Sequence, residues 1–196
     1  MDKKVRRLAA REEARKRGQR KKILSVVYII GGLALLVVAL LAFPDNKPAK
    51  ASLDYSAEDV VYDNPLHAVH EMDGPSLASI PFLPEDQPQP KVAVSETYFD
   101  FGGVGATDVV THQFIIQNVG EAPLTISRAY TTCGCTTADF TATVIPPGMV
   151  SVMTLTFDAG FHDAKGQTVR RGIFIENNDP NMPQLEIWTQ AVVANN

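Results

Sequence analysis

The sequence predicts an all-β domain, an antiparallel sandwich of about seven strands over residues 92–196, preceded by a single N-terminal transmembrane α-helix. Three observations carry that prediction. Charge is split: residues 1–22 hold eleven of the eighteen Lys and Arg against three acids, a charge of +8, and everything after Phe43 sums to −12. Between the two lies Ile23–Phe43, twenty-one residues with no charge and no proline. From Lys91 onward, short apolar runs of period two recur between turn residues. With 196 residues and 45% hydrophobic content, the chain has room for one ordinary domain with appendages and is too polar for a multi-span transporter.

In chain order, the first element is the basic segment 1–22. Its Glu12/Lys16 and Glu13/Arg17 pairs are spaced i,i+4 in the favourable orientation on a helix. Such a cationic flank resists translocation and is expected in the cytoplasm, where it attracts anionic lipid headgroups. Nucleic acid is not the expected partner for a basic run beside an apolar span. The run 23–43, as a helix, is about 31 Å long, the thickness of a hydrocarbon core. It exceeds the 7–15 apolar residues usual in a cleaved signal, which favours an anchor over the alternative of cleavage near Ala49-Lys50-Ala51. The expected location is a bacterial inner membrane, single-pass, with the C-terminal domain periplasmic or otherwise extracytoplasmic.

Residues 44–91 form the next unit. Eight of the thirteen prolines fall here, which excludes long helices and interior strands and predicts an extended linker. Scattered apolar residues, among them Leu53, Val60, Val61 and Leu66, suit a strap laid on another protein's surface, against the alternative of a disordered tether. His67 and His70 stand i,i+3 and would share a face only on a helix. They match neither H-E-x-x-H nor H-x-x-E-H, so metal binding there is not expected.

The strands follow. Phe99 and Phe101 alternate in VAVSETYFDFGGV, and Val110, His112, Phe114 and Ile116 share one side of the next run. Leu124 pairs with Ile126, a turn falls at Pro146-Pro147-Gly148, and Met153, Leu155 and Phe157 share a face. Ile173 with Ile175, then Leu185, Ile187 and Thr189, complete the series. β-Branched and aromatic residues fill these positions, as a half-buried pleated surface prefers.

Six motifs in order carry a family resemblance. They are Tyr98-Phe99-Asp100-Phe101-Gly102, the Gln117–Leu124 turn QNVGEAPL, Thr132-Cys133-Gly134-Cys135-Thr136, Ile145-Pro146-Pro147-Gly148, Leu155-Thr156-Phe157-Asp158 and Glu176-Asn177-Asn178-Asp179-Pro180. The series resembles the bacterial domain-of-unknown-function family 1573, over about residues 95–194. The resemblance implies an immunoglobulin-like sandwich, similar to sperm-protein and cilia-associated domains, and implies no activity. One departure is Phe161-His162-Asp163-Ala164-Lys165-Gly166, where the family has a short Lys/Gly turn. That departure marks a locally specialised hairpin.

Cys133-Gly134-Cys135 is the one constellation with chemical potential. In an extended stretch the two sulfurs point to one side. Two thiolates suit a soft ion such as Cu(I), with His112 or His162 as a third ligand on chemical grounds alone. The same closeness allows a disulfide, which closes a strained ring and is easily reduced. The third reading is simple burial at a sandwich corner, with Gly134 supplying an unusual backbone angle. No G-x-S-x-G, P-loop, dinucleotide fingerprint or C-x-x-C is present, so no enzyme and no small-molecule substrate are expected. The expected function is a non-catalytic accessory subunit docked on an integral membrane protein complex, of the kind found in respiratory or photosynthetic electron transfer. The alternative is a tethered copper- or thiol-handling protein acting through Cys133 and Cys135, with copper as its only cofactor.

Overall fold

A computed structural model describes residues 52–71 and 80–195. The basic segment 1–22, the apolar run 23–43 and the start of the 44–91 segment lie outside the described residues. Among the described residues no helix is long and apolar enough to cross a membrane.

Among the described residues, ten strands form two sheets. They are β1 (Leu66–Ala68), β2 (Val92–Val94), β3 (Tyr98–Val104), β4 (Val109–Asn118), β5 (Leu124–Thr131), β6 (Thr136–Phe140), β7 (Val144–Ile145), β8 (Val150–Asp158), β9 (Thr168–Asn177) and β10 (Gln184–Val193). One sheet runs β1-β6-β8-β4-β2 and the other β3-β10-β9-β5-β7. The two inner faces make a single core. Phe114, Ile116, Met153, Leu155 and Phe140 from the first sheet meet Leu124, Ile126, Ile173, Ile175, Leu185 and Ile187 from the second. Burying each such side chain contributes about 1.5–3 kcal/mol, which is why the period-two face sets the register.

The sandwich is larger than expected, ten strands rather than about seven, and it is not wholly antiparallel. β3 pairs with β10 in parallel, Trp188 opposite Tyr98 and Thr189 opposite Phe99. The chain achieves this because the run 92–104 is two strands: β2 pairs with β4 in one sheet, and after the break at Ser95–Thr97 the chain enters the other. β6 was not expected at all. Its sequence TTADF buries Ala138 and Phe140, but only those two apolar residues mark it.

The Pro-rich segment also differs from expectation. Over residues 52–71 it lies on this chain's own sandwich rather than standing apart from it, so the sheet begins well before residue 92. The Val61 amide donates to the Val150 carbonyl at 2.9 Å, β1 pairs antiparallel with β6, and the Thr131 amide on β5 donates to the Val69 carbonyl at 3.1 Å. This strap passes from one sheet to the other along their shared side. Three-residue β1 is short enough to fit between Pro65 and the departure at Val69, which is how a proline-rich stretch supplies an edge strand. Arg128 fastens the end of the strap through Glu71, with Glu176 as a second partner.

Candidate functional site: a disulfide turn at a cleft

The β5–β6 connection carries the Cys-Gly-Cys sequence. It is a turn, not an extended stretch: the Thr136 amide closes back on the Cys133 carbonyl at 3.1 Å. Cys133 and Cys135 are joined by a disulfide with their Cα atoms 5.2 Å apart. The turn is held from below by Thr131, whose hydroxyl lies 2.9 Å from the Thr136 carbonyl and 3.1 Å from the Cys133 carbonyl, its one proton shared between them. It is held from the side by Thr132, which exchanges backbone and side-chain bonds with Gly172 on β9. Cys133 is half-buried, and Cys135 is 3% exposed.

The burial reading had Gly134 supply an unusual backbone angle, but among the described residues the positive-φ glycines are Gly102, Gly148 and Gly166. The requirement at Gly134 is close approach. A β-carbon there would stand 3.0 Å from the Phe161 ring. Phe161 comes from the β8–β9 connection, the segment that departs from the family pattern; it is not the hairpin expected, because β8 and β9 lie in different sheets and the loop crosses between them. That crossover loop therefore walls the disulfide turn.

Together these elements enclose an open cleft of about 470 Å³ lined by His70, Thr132, Cys133, Gly134, Phe161, His162 and Arg171. Of the two histidines named as chemical candidates, His162 lines the cleft. His112 does not; it stacks on Phe99 with ring centroids 3.4 Å apart, and its Nε2 lies 2.9 Å from Glu96 Oε1. His67 and His70 do not share a ligand position either. His67 pairs with Asp139 on β6 at 2.6 Å, while His70 Nδ1 lies 2.9 Å from the Thr131 carbonyl on β5. An extended strap sends them to strands of different sheets. Among the described residues no group of three His, Cys, Asp or Glu side chains is arranged to hold a metal ion.

Arg171 is the functional residue that spacing alone left unnoticed. It sits on β9 in phase with Val169, Ile173 and Ile175, so its side chain enters the inner face of the sandwich. Its Nε donates to Cys135 Sγ at 3.0 Å and its Nη1 to the Arg170 carbonyl at 2.8 Å. Among the described residues no carboxylate pairs with it. Burial pushes its pKa below the ordinary guanidinium value. The period-two count through TVRRGIFIE was the available signal: it puts a cation where an aliphatic residue belongs.

A disulfide spanning two sequence positions restrains little chain. The loop-entropy model gives about 1.6 kcal/mol for a three-residue loop, roughly half the value for a fifteen-residue one. Stability is thus a weak reason for the bond.

A second surface lies on the outer face of the β3-β10-β9-β5 sheet. Tyr98, Trp188, Phe174 and Tyr130 form a row across four strands. Trp188 meets Phe174 edge-on at 6.0 Å, and Phe174 stacks on Tyr130 at 5.3 Å. Arg170 and Arg128 cap the two ends, over Tyr98 and Tyr130. Gly172 makes room for Trp188, since a β-carbon there would stand 3.0 Å from the indole. A shallow depression of about 330 Å³ lies between Thr97, Tyr98, Arg170 and Trp188.

Fold and turn together define a two-sheet β-sandwich with a disulfide at the β5–β6 corner. The chain belongs to DUF1573, a protein family of unknown function, whose model matches residues 92–191. Among solved structures it is similar to a protein of unknown function from Porphyromonas gingivalis W83, at 28% identity and a TM-score of 0.49, over 53% of this chain and 46% of that one. This chain thus spans less than half of the Porphyromonas protein. It is also similar to the YadV chaperone (15% identity, TM-score 0.40, 52% of this chain and 51% of that one). A third likeness is the seventh PapD-like domain of human CEP192 (10% identity, TM-score 0.42, 63% and 99%). A comparison with curated proteins finds no match.

Proposed function

We propose that the protein is a non-catalytic accessory subunit, anchored in a bacterial inner membrane by residues 23–43, that docks an extracytoplasmic immunoglobulin-like domain onto an integral membrane protein complex. The observation that carries this reading is the aromatic row. Four half-buried rings capped by two arginines, with a depression beside Trp188, have the composition of an interface core: Trp, Tyr and Arg dominate binding energy where water is excluded. A surface of this kind, on a domain tethered beside its partner, needs only modest intrinsic affinity. Support for the anchor is the uncharged run of twenty-one residues next to a +8 flank, which also favours contact with anionic lipid.

The test is extraction of the full chain in mild detergent, with mass spectrometry of what co-purifies. A stable set of membrane partners, lost in the Trp188→Ala variant, is the expected result. An anchor truncated after residue 43 should leave the protein in the soluble fraction. A monomer that brings nothing with it would sink the docking reading.

The second reading, copper or thiol handling through Cys133 and Cys135, is favoured in its thiol form by the disulfide and by Arg171. The copper form needs the two sulfurs as free thiolates, so it belongs to the reduced protein only.

A further inference from the structure

We infer that the Cys133–Cys135 disulfide is a reactive bond that oxidises a cysteinyl thiol entering the cleft, with Cys133 the sulfur attacked and Cys135 the leaving group. This goes beyond the docking role and does not depend on it.

Three observations converge. Access is one-sided: Cys133 lines the cleft, whereas Cys135 is 3% exposed and points at β9. A cation waits at the sulfur that must accept charge, because Arg171 Nε already donates to Cys135 Sγ at 3.0 Å. That cation is otherwise unneutralised among the described residues, so its burial costs free energy that the disulfide form does not return. A thiolate on Cys135 would return it. The bond also closes a loop too short to be justified by stability.

The step balances as follows. An incoming thiolate attacks Cys133 Sγ. A mixed disulfide forms between it and Cys133, the Cys133–Cys135 bond breaks, and Cys135 Sγ departs with the electron pair as a thiolate hydrogen-bonded by Arg171. A second thiolate then attacks the substrate sulfur of the mixed disulfide and releases Cys133 as a thiolate. Two substrate thiols have become one disulfide, their two protons go to water or to the released cysteines, and the protein has gained two electrons. The reaction is stoichiometric. Exchange rates rise as the leaving thiol becomes more acidic, and a neighbouring guanidinium acidifies it.

The experiment uses the full chain in detergent, with reduced glutathione and a reduced, unfolded cysteine-containing polypeptide as separate probes. The oxidised fraction is read by thiol alkylation and intact mass. The wild-type protein should be reduced while still folded, and Arg171→Gln should slow the reaction about tenfold, with Arg171→Lys recovering most of the rate. Neither Cys135→Ser nor Cys133→Ser, which lack the bond, should oxidise a reduced probe; offered oxidised glutathione instead, Cys135→Ser should take up one glutathionyl group on Cys133 with release of glutathione thiolate, and Cys133→Ser should do so on the buried Cys135 far more slowly. Reaction with either probe supports the inference, and the faster probe tells protein thiols from small ones. Resistance of the folded wild type to both probes would overturn it, as would Arg171→Gln reacting at the wild-type rate. If the cysteine variants do not fold, the wild-type and Arg171 measurements decide alone.

Discussion

The two ends of β5 and β9 are built in opposite ways. At one end, the Asn177-Asn178-Asp179 corner and Asn118 form a buried polar cluster in which the side-chain groups are matched. Asn118 Nδ2 donates to the carbonyls of Ala122 and Ile145, and its Oδ1 accepts from the Gly120 amide. Asp179 accepts from the Val92 and Asn181 amides, and Asn178 brackets Thr125 and Pro123. At the other end, the disulfide turn opens on a cleft, and a half-buried guanidinium makes its bonds to a sulfur and a carbonyl. Every group at the first corner is spent on holding loops to strands. At the second corner the guanidinium's partners are a disulfide sulfur and the carbonyl of neighbouring Arg170, neither of which carries a charge. The same fold therefore separates a place that fixes structure from a place equipped to change state.

The largest expected effect is at the closed corner. Asn118→Ala removes three short bonds and strands two buried carbonyls, for a loss of about 3 kcal/mol in urea unfolding of the folded chain. Replacing both cysteines by serine should cost less, about 1–2 kcal/mol, since the loop they close is short. A cost comparable to Asn118→Ala would erase the contrast between the corners. Arg171→Met should leave unfolding stability within about 1 kcal/mol of wild type, because an apolar side chain of similar length suits the inner face as well as an unpaired cation does. A large loss there would make Arg171 a structural residue.

The smallest effect lies on the strap, outside both corners. Asp59 accepts from the Ser56 amide at 2.7 Å and from its hydroxyl at 2.9 Å, and the first of these does most to hold its carboxyl below the ordinary value. A lowered folded pKa means that this turn is fully supported above the unfolded value of about 3.9 and loses support as pH falls through the folded one. The protection of the Ser56 amide, relative to its intrinsic exchange rate at each pH, should fall only in that acidic window, while protection in β8 stays unchanged.

Much of the sandwich was legible because its long strands carry apolar residues at every second position, on the inner face. β4, β8, β9 and β10 all read from their alternation, and the family resemblance held over residues 92–191. What was not legible has physical causes. β6 is too short and polar to show a period, and β1 is hidden between proline and histidine. The parallel pairing of β3 with β10 depends on a change of sheet at Ser95–Thr97 that no local pattern records. At the site, two cysteines around a glycine fit burial, bonding or metal equally well in sequence. The Arg171 side chain, brought from thirty-six positions away, and the deeper burial of Cys135 distinguish it from Cys133.

The strap has a mechanical consequence. Its attachments at Val61, β1 and Val69 lie upstream of the long strands in the chain, so tension entering from before Ser52 is borne first by single bonds at Asp54 and Val61 and then by a peripheral three-residue strand. Edge pairs peel one bond at a time, whereas the core strands would have to shear together. A pull from the N-terminal side should thus detach the strap, exposing the flank of β6 and the His70 side of the cleft, long before the packed layer of apolar side chains between the two sheets yields.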